Sequence, residues 1–248
     1  MTERLIAESG RRHVVEEILG KSFELWSRII KAIEDVRSIY DDMNKAMTLG
    51  LESIVRRIGI SLVVGRRPKT ILDLGAGPGT STRQLLKVHP YTYIIALEPS
   101  IELARGLKCQ RDICCERIVG VAENIPLRSK SIDVSMAFFS ARDFMDPLRG
   151  FKEARRVSRN RIVIADIFIP RRLLSRIILK VWVCLIIPVI AILKARRSWR
   201  SYRMLCETLK GWMTIDRAKA LLKGLLVGEG ARIWDGALGV IYADIQDW

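Results

Sequence analysis

The sequence predicts an α/β chain: a mostly parallel sheet with helices on both faces, N-terminal helices before it, and an antiparallel strand at the C-terminal end. Three observations predict this class. Short apolar runs alternate with helical patterns from Thr70 to Ile167, a glycine-rich turn follows the first run, and an acid ends the second. A chain of 248 residues, 49% apolar and 28% charged, can bury one sizeable core and does not read as disordered.

Taken in order, apolar residues at 14/15, 18/19, 25/26, 29/30, 33, 36 and 40 keep helical spacing over Val14–Tyr40, with a mild interruption at Gly20. Asp41, Asp42 and Asn44 read as a polar break. A second helical stretch, Leu51–Val64, stops at Gly65-Arg-Arg-Pro68. Then come a strand at Thr70–Leu74, a helix from about Ser81 to Val88, a strand at Tyr93–Leu97 and a helix near Ile101–Lys108. Strands follow at Arg117–Val121, Ser131–Ala137 and Arg161–Ile167, with a helix at 147–157 before the last. Residues 171–210 break the alternation: they read as helical, very basic and very apolar. A helix at 215–226 and two strand-like runs, Ala231–Leu238 and Val240–Ile245, form the expected antiparallel end.

The net charge of +15 is concentrated. Arg149 to Arg203 holds fifteen Lys/Arg against Glu153 and Asp166 alone. Such a zone points to a polyanionic partner, either nucleic acid or an anionic membrane surface. The five cysteines, at 109, 114, 115, 184 and 206, are odd in number and lack Cys-x-x-Cys spacing. That pattern indicates neither a disulfide framework nor a zinc site, and no metal is expected. Cys114–Cys115 reads as two small apolar residues in a reducing cytosol, with redox activity as the alternative. The N-terminus lacks the apolar core of a signal peptide, so a cytoplasmic location is expected. Only six residues are Asn or Gln, a depletion that also occurs in thermophile proteins.

The chemistry starts at Asp73-Leu-Gly75-Ala76-Gly77-Pro78-Gly79. This turn leaves the first strand and opens a helix, the place where an α/β sheet binds nucleotides. Glycines permit positive φ and close approach of the backbone to a ligand. The spacing is Gly-x-Gly-x-Gly, with Thr80 where a dinucleotide fingerprint needs its third Gly. Asp73 would repel a pyrophosphate and suit a cationic amino-acid ligand. Glu98 ends the second strand, where a carboxylate can accept hydrogen bonds from ribose hydroxyls, and Pro99 follows it. Val121-Ala122-Glu123-Asn-Ile-Pro126 reads as an adenine-side loop.

This arrangement resembles the class I S-adenosylmethionine methyltransferases. The resemblance implies a Rossmann-like sheet and S-adenosylmethionine as cofactor, with Gly75, Ala76, Gly77, Pro78 and Gly79 at the methionine end and Glu98 on the ribose. A closer resemblance, from about Tyr40 to the end of the chain, is to the ubiquinone/menaquinone biosynthesis C-methyltransferases. Tyr40-Asp-Asp-Met-Asn44 looks like that family's Tyr-Asp-x-Met-Asn motif, and Phe139-Ser-Ala-Arg142-Asp143 like its Phe-Gly-x-Arg-Asn stretch. Pro188 and Tyr202 also stand where the family has Pro and Tyr. The family usually has Asp or Asn at Val121, Asn at Asp143, and a Pro-Gly-Gly turn at Ser158-Arg-Asn-Arg161. The implied cofactor contacts are Tyr40, Asp73, the glycine turn, Glu98, Pro99, Ala122, Glu123 and Phe138; Arg142 and Asp143 are the implied catalytic pair.

The cofactor implied here carries an activated methyl, so the protein must align a nucleophile and tune its charge. Arg142 is too weakly acidic to act as a simple base at pH 7, but it can stabilise a developing phenolate or orient a water. The competing reading for Arg142 is a surface ion pair with Asp143 or Asp146. His13 and His89 sit away from the strand ends and are weaker candidates.

Two domains are expected: an N-terminal helical cap over 1–66, and the sheet domain over 67–248 with a helical insertion at 171–212. Val181–Leu193 runs without a charge, flanked by Arg171, Arg172, Arg176 and Lys180 before it and by Lys194, Arg196, Arg197, Arg200 and Arg203 after it. A spanning helix needs about 20 apolar residues. The short run, Pro188 and the flanking cations suit a segment lying in a membrane interface with Trp182 and Trp199 as anchors. A buried core helix and a true span over 177–193 remain the alternatives. The expected acceptor is thus a lipophilic small molecule, a prenylated quinone or quinol precursor, met at a membrane surface by a peripherally associated enzyme. RNA methylation through the basic zone, N-methylation of a lipid head group or another small molecule, and a non-catalytic cofactor-binding scaffold stay open. Oligomeric state stays open too, a homodimer included.

Overall fold

The computed structural model describes residues 20–107, 115–195 and 199–246. His13, Cys109, Cys114, Arg196 and Arg197 lie outside the described residues, as do the side chains of Lys194, Trp199 and Arg200.

Seven strands form one sheet: β1 (Thr70–Leu74), β2 (Tyr93–Glu98), β3 (Cys115–Val119), β4 (Ile132–Phe138), β5 (Ser158–Ile167), β6 (Leu226–Ile233) and β7 (Leu238–Asp244). Their order is β3-β2-β1-β4-β5-β7-β6. Neighbours pair in parallel as far as β5, and β7 runs antiparallel to both β5 and β6. The strands alternating with helical patterns therefore do form the mostly parallel sheet, closed by an antiparallel strand. Strand order reverses between β1 and β4, which opens a crevice at the carboxyl ends. β1, β4 and β5 are buried over most of their length, as continuous apolar runs in a covered parallel sheet require.

The helices are α1 (Phe23–Asp35), α2 (Tyr40–Met47), α3 (Glu52–Val64), α4 (Thr80–Val88), α5 (Ile101–Gly106), α6 (Pro147–Val157), α7 (Leu173–Val181), α8 (Ile187–Ala195), α9 (Trp199–Leu209) and α10 (Ile215–Leu221). α1 starts at Ser22, whose hydroxyl accepts from the Leu25 amide. In the described part of 1–66, α3 packs on the sheet: Val55, Ile60 and Val63 share the core of the strands. α1 and α2 instead lie over the carboxyl ends. The Ser100 hydroxyl donates to Glu34 at 2.5 Å, and Thr80 donates to Asp41 at 2.7 Å.

Several expectations are corrected. The polar break at Asp41 and Asp42 is the first turn of α2, where acids complement the positive end of the helix dipole. The strand expected over Ala231–Leu238 begins at Leu226 and ends at Ile233, because Trp234 and Asp235 adopt left-handed φ of 50° and 56° and turn the chain into β7. The helix expected over 215–226 ends at Leu221, with Gly224 at φ 83° beyond it.

The insertion is one helical rod from Leu173 to Ala195 with a π-turn at Trp182–Ile186, followed by α9. The π-turn precedes Pro188, which has no N–H to continue the regular bonding, so the widened turn absorbs the mismatch. Cys184 in this turn is disulfide-bonded to Cys206 on α9. The cysteine spacing gave no sign of this pair, because only the packing of α9 against the π-turn brings the two together. Within the basic zone, Arg156 pairs with Glu153, Arg161 with Asp244 and Arg171 with Asp216, so part of the positive charge is neutralised internally.

Candidate active site

A cleft opens over the carboxyl ends of β1, β2 and β4. Its floor is the glycine turn. The amides of Gly75 and Ala76 donate to the Leu97 carbonyl at 2.8 and 3.2 Å, which ties the turn to the end of β2. Gly75, Gly77 and Gly79 have φ of 68°, 55° and 83°, conformations that L side chains rarely adopt. A side chain at Gly77 would project into open space, so the backbone there is a bare cradle; one at Gly75 would strike Ser140.

Glu98 is buried, and its two oxygens accept from the Gly77 amide at 2.7 Å and the Ser100 amide at 3.0 Å. Burial pushes its carboxyl up to about 7, against the pull of these two bonds. Asp73 stands behind the turn, fully buried, with its carboxylate accepting from the Thr82 hydroxyl at 2.6 Å. Burial raises it to about 6, opposed by the Thr82 bond and by Arg56. Two buried carboxylates at the turn favour a cationic ligand carrying hydroxyls, and the donor set and cradle fit S-adenosylmethionine. When bound, that cofactor supplies an electrophilic methyl group.

Of the expected contacts, Tyr40, Gly75, Gly77, Glu98, Pro99, Ala122 and Glu123 line the cleft, and so does Asp143. Asp73, Ala76, Pro78 and Gly79 do not. Ala76 packs with Ala96 and Leu107, the Pro78 carbonyl accepts from Arg83, and Gly79 caps α4. Phe138 does not line the cleft either, and its neighbour Phe139 does. The Phe138 ring packs against Gly59 of α3, while Phe139, at φ 59°, lines the cleft. The Arg56 guanidinium lies 4.6 Å from the Phe139 ring centre.

The roof was not anticipated. Trp26, Ile30 and Ile33 of α1 cover the cleft, and Phe144 closes its side. The chain before α1 is fastened across the mouth: Lys21 donates from its amide to Met145 and from Nζ to the Phe144 carbonyl, at 2.8 and 2.7 Å. The periodicity of Val14–Tyr40 showed an apolar face but not its target.

A second cavity adjoins the cleft and shares Ile33, Tyr40 and Asp143 with it. Ile29, Val36, Met47, Met204 and Leu205 make it apolar; Asn44, Arg142 and Tyr202 enter it. Arg142 is 4% exposed and is not a surface residue. Its guanidinium and its amide both bond the carboxylate of Asp166, and Asp143 lies 3.7 Å away. Burial alone would lower its pKa, but Asp143 and Asp166 outweigh that and raise it. Asp166 was missed as a site residue; an acid inside the apolar strand Ile162–Ile167 was the available signal. Four buried polar atoms here have no hydrogen-bond partner: Asn44 Nδ2, Arg142 Nε, Asp143 Oδ1 and the Tyr202 hydroxyl. His89 bonds the Pro68 carbonyl at the opposite end of the sheet. Among the described residues no cluster of three or more His, Cys, Asp or Glu could hold a metal ion.

The profile of the ubiE/COQ5 methyltransferase family matches residues 24–228. A demethylmenaquinone methyltransferase from Thermotoga maritima is 28% identical over 204 residues, covering 78% of this chain and 85% of the relative. A ubiquinone/menaquinone biosynthesis C-methyltransferase UbiE from Geotalea daltonii is 25% identical, covering 83% and 90%. Among solved structures, the plantazolicin methyltransferase BamL with a desmethyl analogue and SAH superimposes at TM-score 0.62 and 13% identity, covering 95% of this chain and 99% of that one. With a glycine cradle at the switch point and a family match across most of its length, the chain belongs to the ubiE/COQ5 methyltransferase family and is an S-adenosylmethionine-dependent methyltransferase.

Proposed function

We propose that the protein methylates a ring carbon of a prenylated quinol precursor at a membrane surface. One observation carries the reading: beside the cofactor cleft lies an apolar cavity in which four buried polar atoms lack partners. An unmade buried hydrogen bond costs about 1–3 kcal/mol, so such atoms favour a ligand that completes them. An apolar ring bearing oxygens fits these walls, with Arg142 Nε and Asn44 Nδ2 as donors and Asp143 Oδ1 as acceptor. The names of the relatives point to the same class of acceptor.

In this reading Glu98 accepts the ribose hydroxyls, Gly77 lets the amino-acid end approach the backbone, and Asp73 acts through its charge from behind the turn. Val121, Ala122 and Glu123 flank the adenine. Arg142, held rigid by Asp166, stabilises the oxyanion that forms when the ring becomes nucleophilic.

The membrane part rests on the insertion. Leu173–Ile192 is long and apolar enough to cross a bilayer by length and composition. Few of its residues are buried in the protein, which disfavours the core-helix alternative; Leu173, Leu174, Ile178, Leu185 and Val189 are exposed. Cations at Arg172, Arg176 and Lys180 accompany this face and suit anionic head groups. Trp182 is not a free anchor, because its indole N–H donates to the Met47 carbonyl at 2.7 Å and braces α2. Trp234, half exposed beside Leu49 and Ile178, takes that place.

The test is incubation with methyl-labelled S-adenosylmethionine and anionic vesicles carrying demethylmenaquinol. The reading expects the label on a ring carbon and vesicle binding that weakens with salt. Label on oxygen or nitrogen, or only in nuclease-sensitive material, would refute it.

A further inference from the structure

Asp143 ends the short turn Ala141–Asp143 after β4 and carries a carboxyl group, which can take up and release a proton. The structure puts that group on the wall common to the two cavities, so it borders the cleft over the glycine turn on one side and the apolar cavity on the other. Its Oδ1 is buried and unpartnered. We infer that Asp143 is the general base that takes the hydroxyl proton of the acceptor.

The surroundings suit the task. Arg142 lies beside it on the same turn, and Asp166 of β5 stands behind Arg142. Lys21 approaches from the segment before α1, Glu98 from the end of β2 and Glu123 from the loop after β3. The phenols of Tyr40 on α2 and Tyr202 on α9 face the same cavity, with the Asn44 amide beside them. Burial raises the Asp143 carboxyl to about 6; Arg142 and Lys21 oppose the rise and Asp166 adds to it. The group is therefore ionised at pH 7 yet basic enough to share a proton, the condition for an effective base.

The inference rests on the proposed acceptor class. The hydroxyl proton passes to an Asp143 oxygen, and the freed electron pair moves into the ring. The adjacent ring carbon bonds the transferred methyl, whose former bonding pair stays on sulfur. That ring carbon then loses its hydrogen to water as a proton, and Asp143 returns its own proton to the ring oxygen. Each turnover releases one proton. Arg142 Nε donates to the oxygen while it is negative.

Asp143→Asn keeps the shape and is expected to lower kcat by about a hundredfold. It should also erase the acid limb of the pH–rate profile, an inflection near 6 in the wild type, while cofactor affinity changes less than about threefold. Equal kcat with an unmoved inflection would overturn the inference, since a merely structural residue leaves the inflection in place. If the variant does not fold, Asp143→Ser with added formate replaces it: restored turnover supports the base, and none overturns it. A second arm needs no substrate. Infrared difference spectra of the cofactor-free protein, wild type minus Asp143→Asn, should show a protonated carboxyl stretch that vanishes with a midpoint near 6. A carboxyl still protonated above about pH 8, or ionised below about pH 4, would overturn the inference. If the wild type methylates no quinol at all, the acceptor reading fails and the infrared arm still decides the basicity of Asp143.

Discussion

On the floor of the cleft, around the glycine turn, the polar groups answer one another. Glu98 is held by the amides of Gly77 and Ser100, Glu123 accepts from the Asp146 amide, and the Ser140 hydroxyl donates to the Leu74 carbonyl. In the neighbouring cavity, Asn44, Arg142, Asp143 and Tyr202 each leave one buried atom without a partner. The first site is made largely of backbone and of short contiguous stretches. The second draws side chains from α1, α2, the turn after β4, and α9. The difference separates a site shaped by its own fold from one that its ligand completes.

The first way to break the comparison is to remove the strut shared by the second cavity. Asp166→Asn leaves the Arg142 charge buried beside Asp143 alone and is expected to cost about 3–5 kcal/mol of stability, measured by denaturant unfolding. Next, Arg142→Lys keeps the charge but loses the planar fork and the Nε donor. Turnover should fall about a hundredfold with cofactor affinity by calorimetry unchanged; a loss of cofactor binding would merge the two sites that are separate here. Gly77→Ala acts on the cleft alone. A left-handed alanine costs about 1–2 kcal/mol, and its methyl group enters the cradle, so cofactor binding should weaken about tenfold.

The smallest effect is one of pH. Burial raises Glu98 to about 7, and a ligand that needs the carboxylate lowers that value. Binding should therefore release a proton near pH 7, and affinity should fall less than about tenfold per unit as pH drops below it. Calorimetry in two buffers of different ionisation enthalpy measures the release, and Glu98→Gln should abolish it.

The same contrast separates what the amino-acid sequence discloses from what only the folded chain does. The glycine turn, Glu98 and the alternating strands are local patterns, each set by a few neighbouring residues, and the sheet matches them. The roof made by Trp26, Ile30 and Ile33, the buried pairing of Arg142 with Asp166, and the Cys184–Cys206 disulfide depend on segments far apart in the chain. Periodicity can show that such a residue is buried but not what it meets. Phe138 and Phe139 illustrate the finest scale. Adjacent phenylalanines at a strand end carry the same chemistry, and only the left-handed turn at Phe139 decides which one faces the cleft. Trp182 followed the same rule: its apolar run predicted an anchor, and the Met47 carbonyl turned it inward.

The most direct test of the two-cavity account is a crystal structure with S-adenosylhomocysteine and a naphthoquinol bound together. The account predicts the nucleoside over Gly77 and Glu98, and the ring between Tyr40 and Tyr202 with its oxygens hydrogen-bonded to Arg142 Nε and Asp143 Oδ1. A ring seated instead in the groove between Ile178 and Trp234, with those atoms still unpartnered, would contradict it.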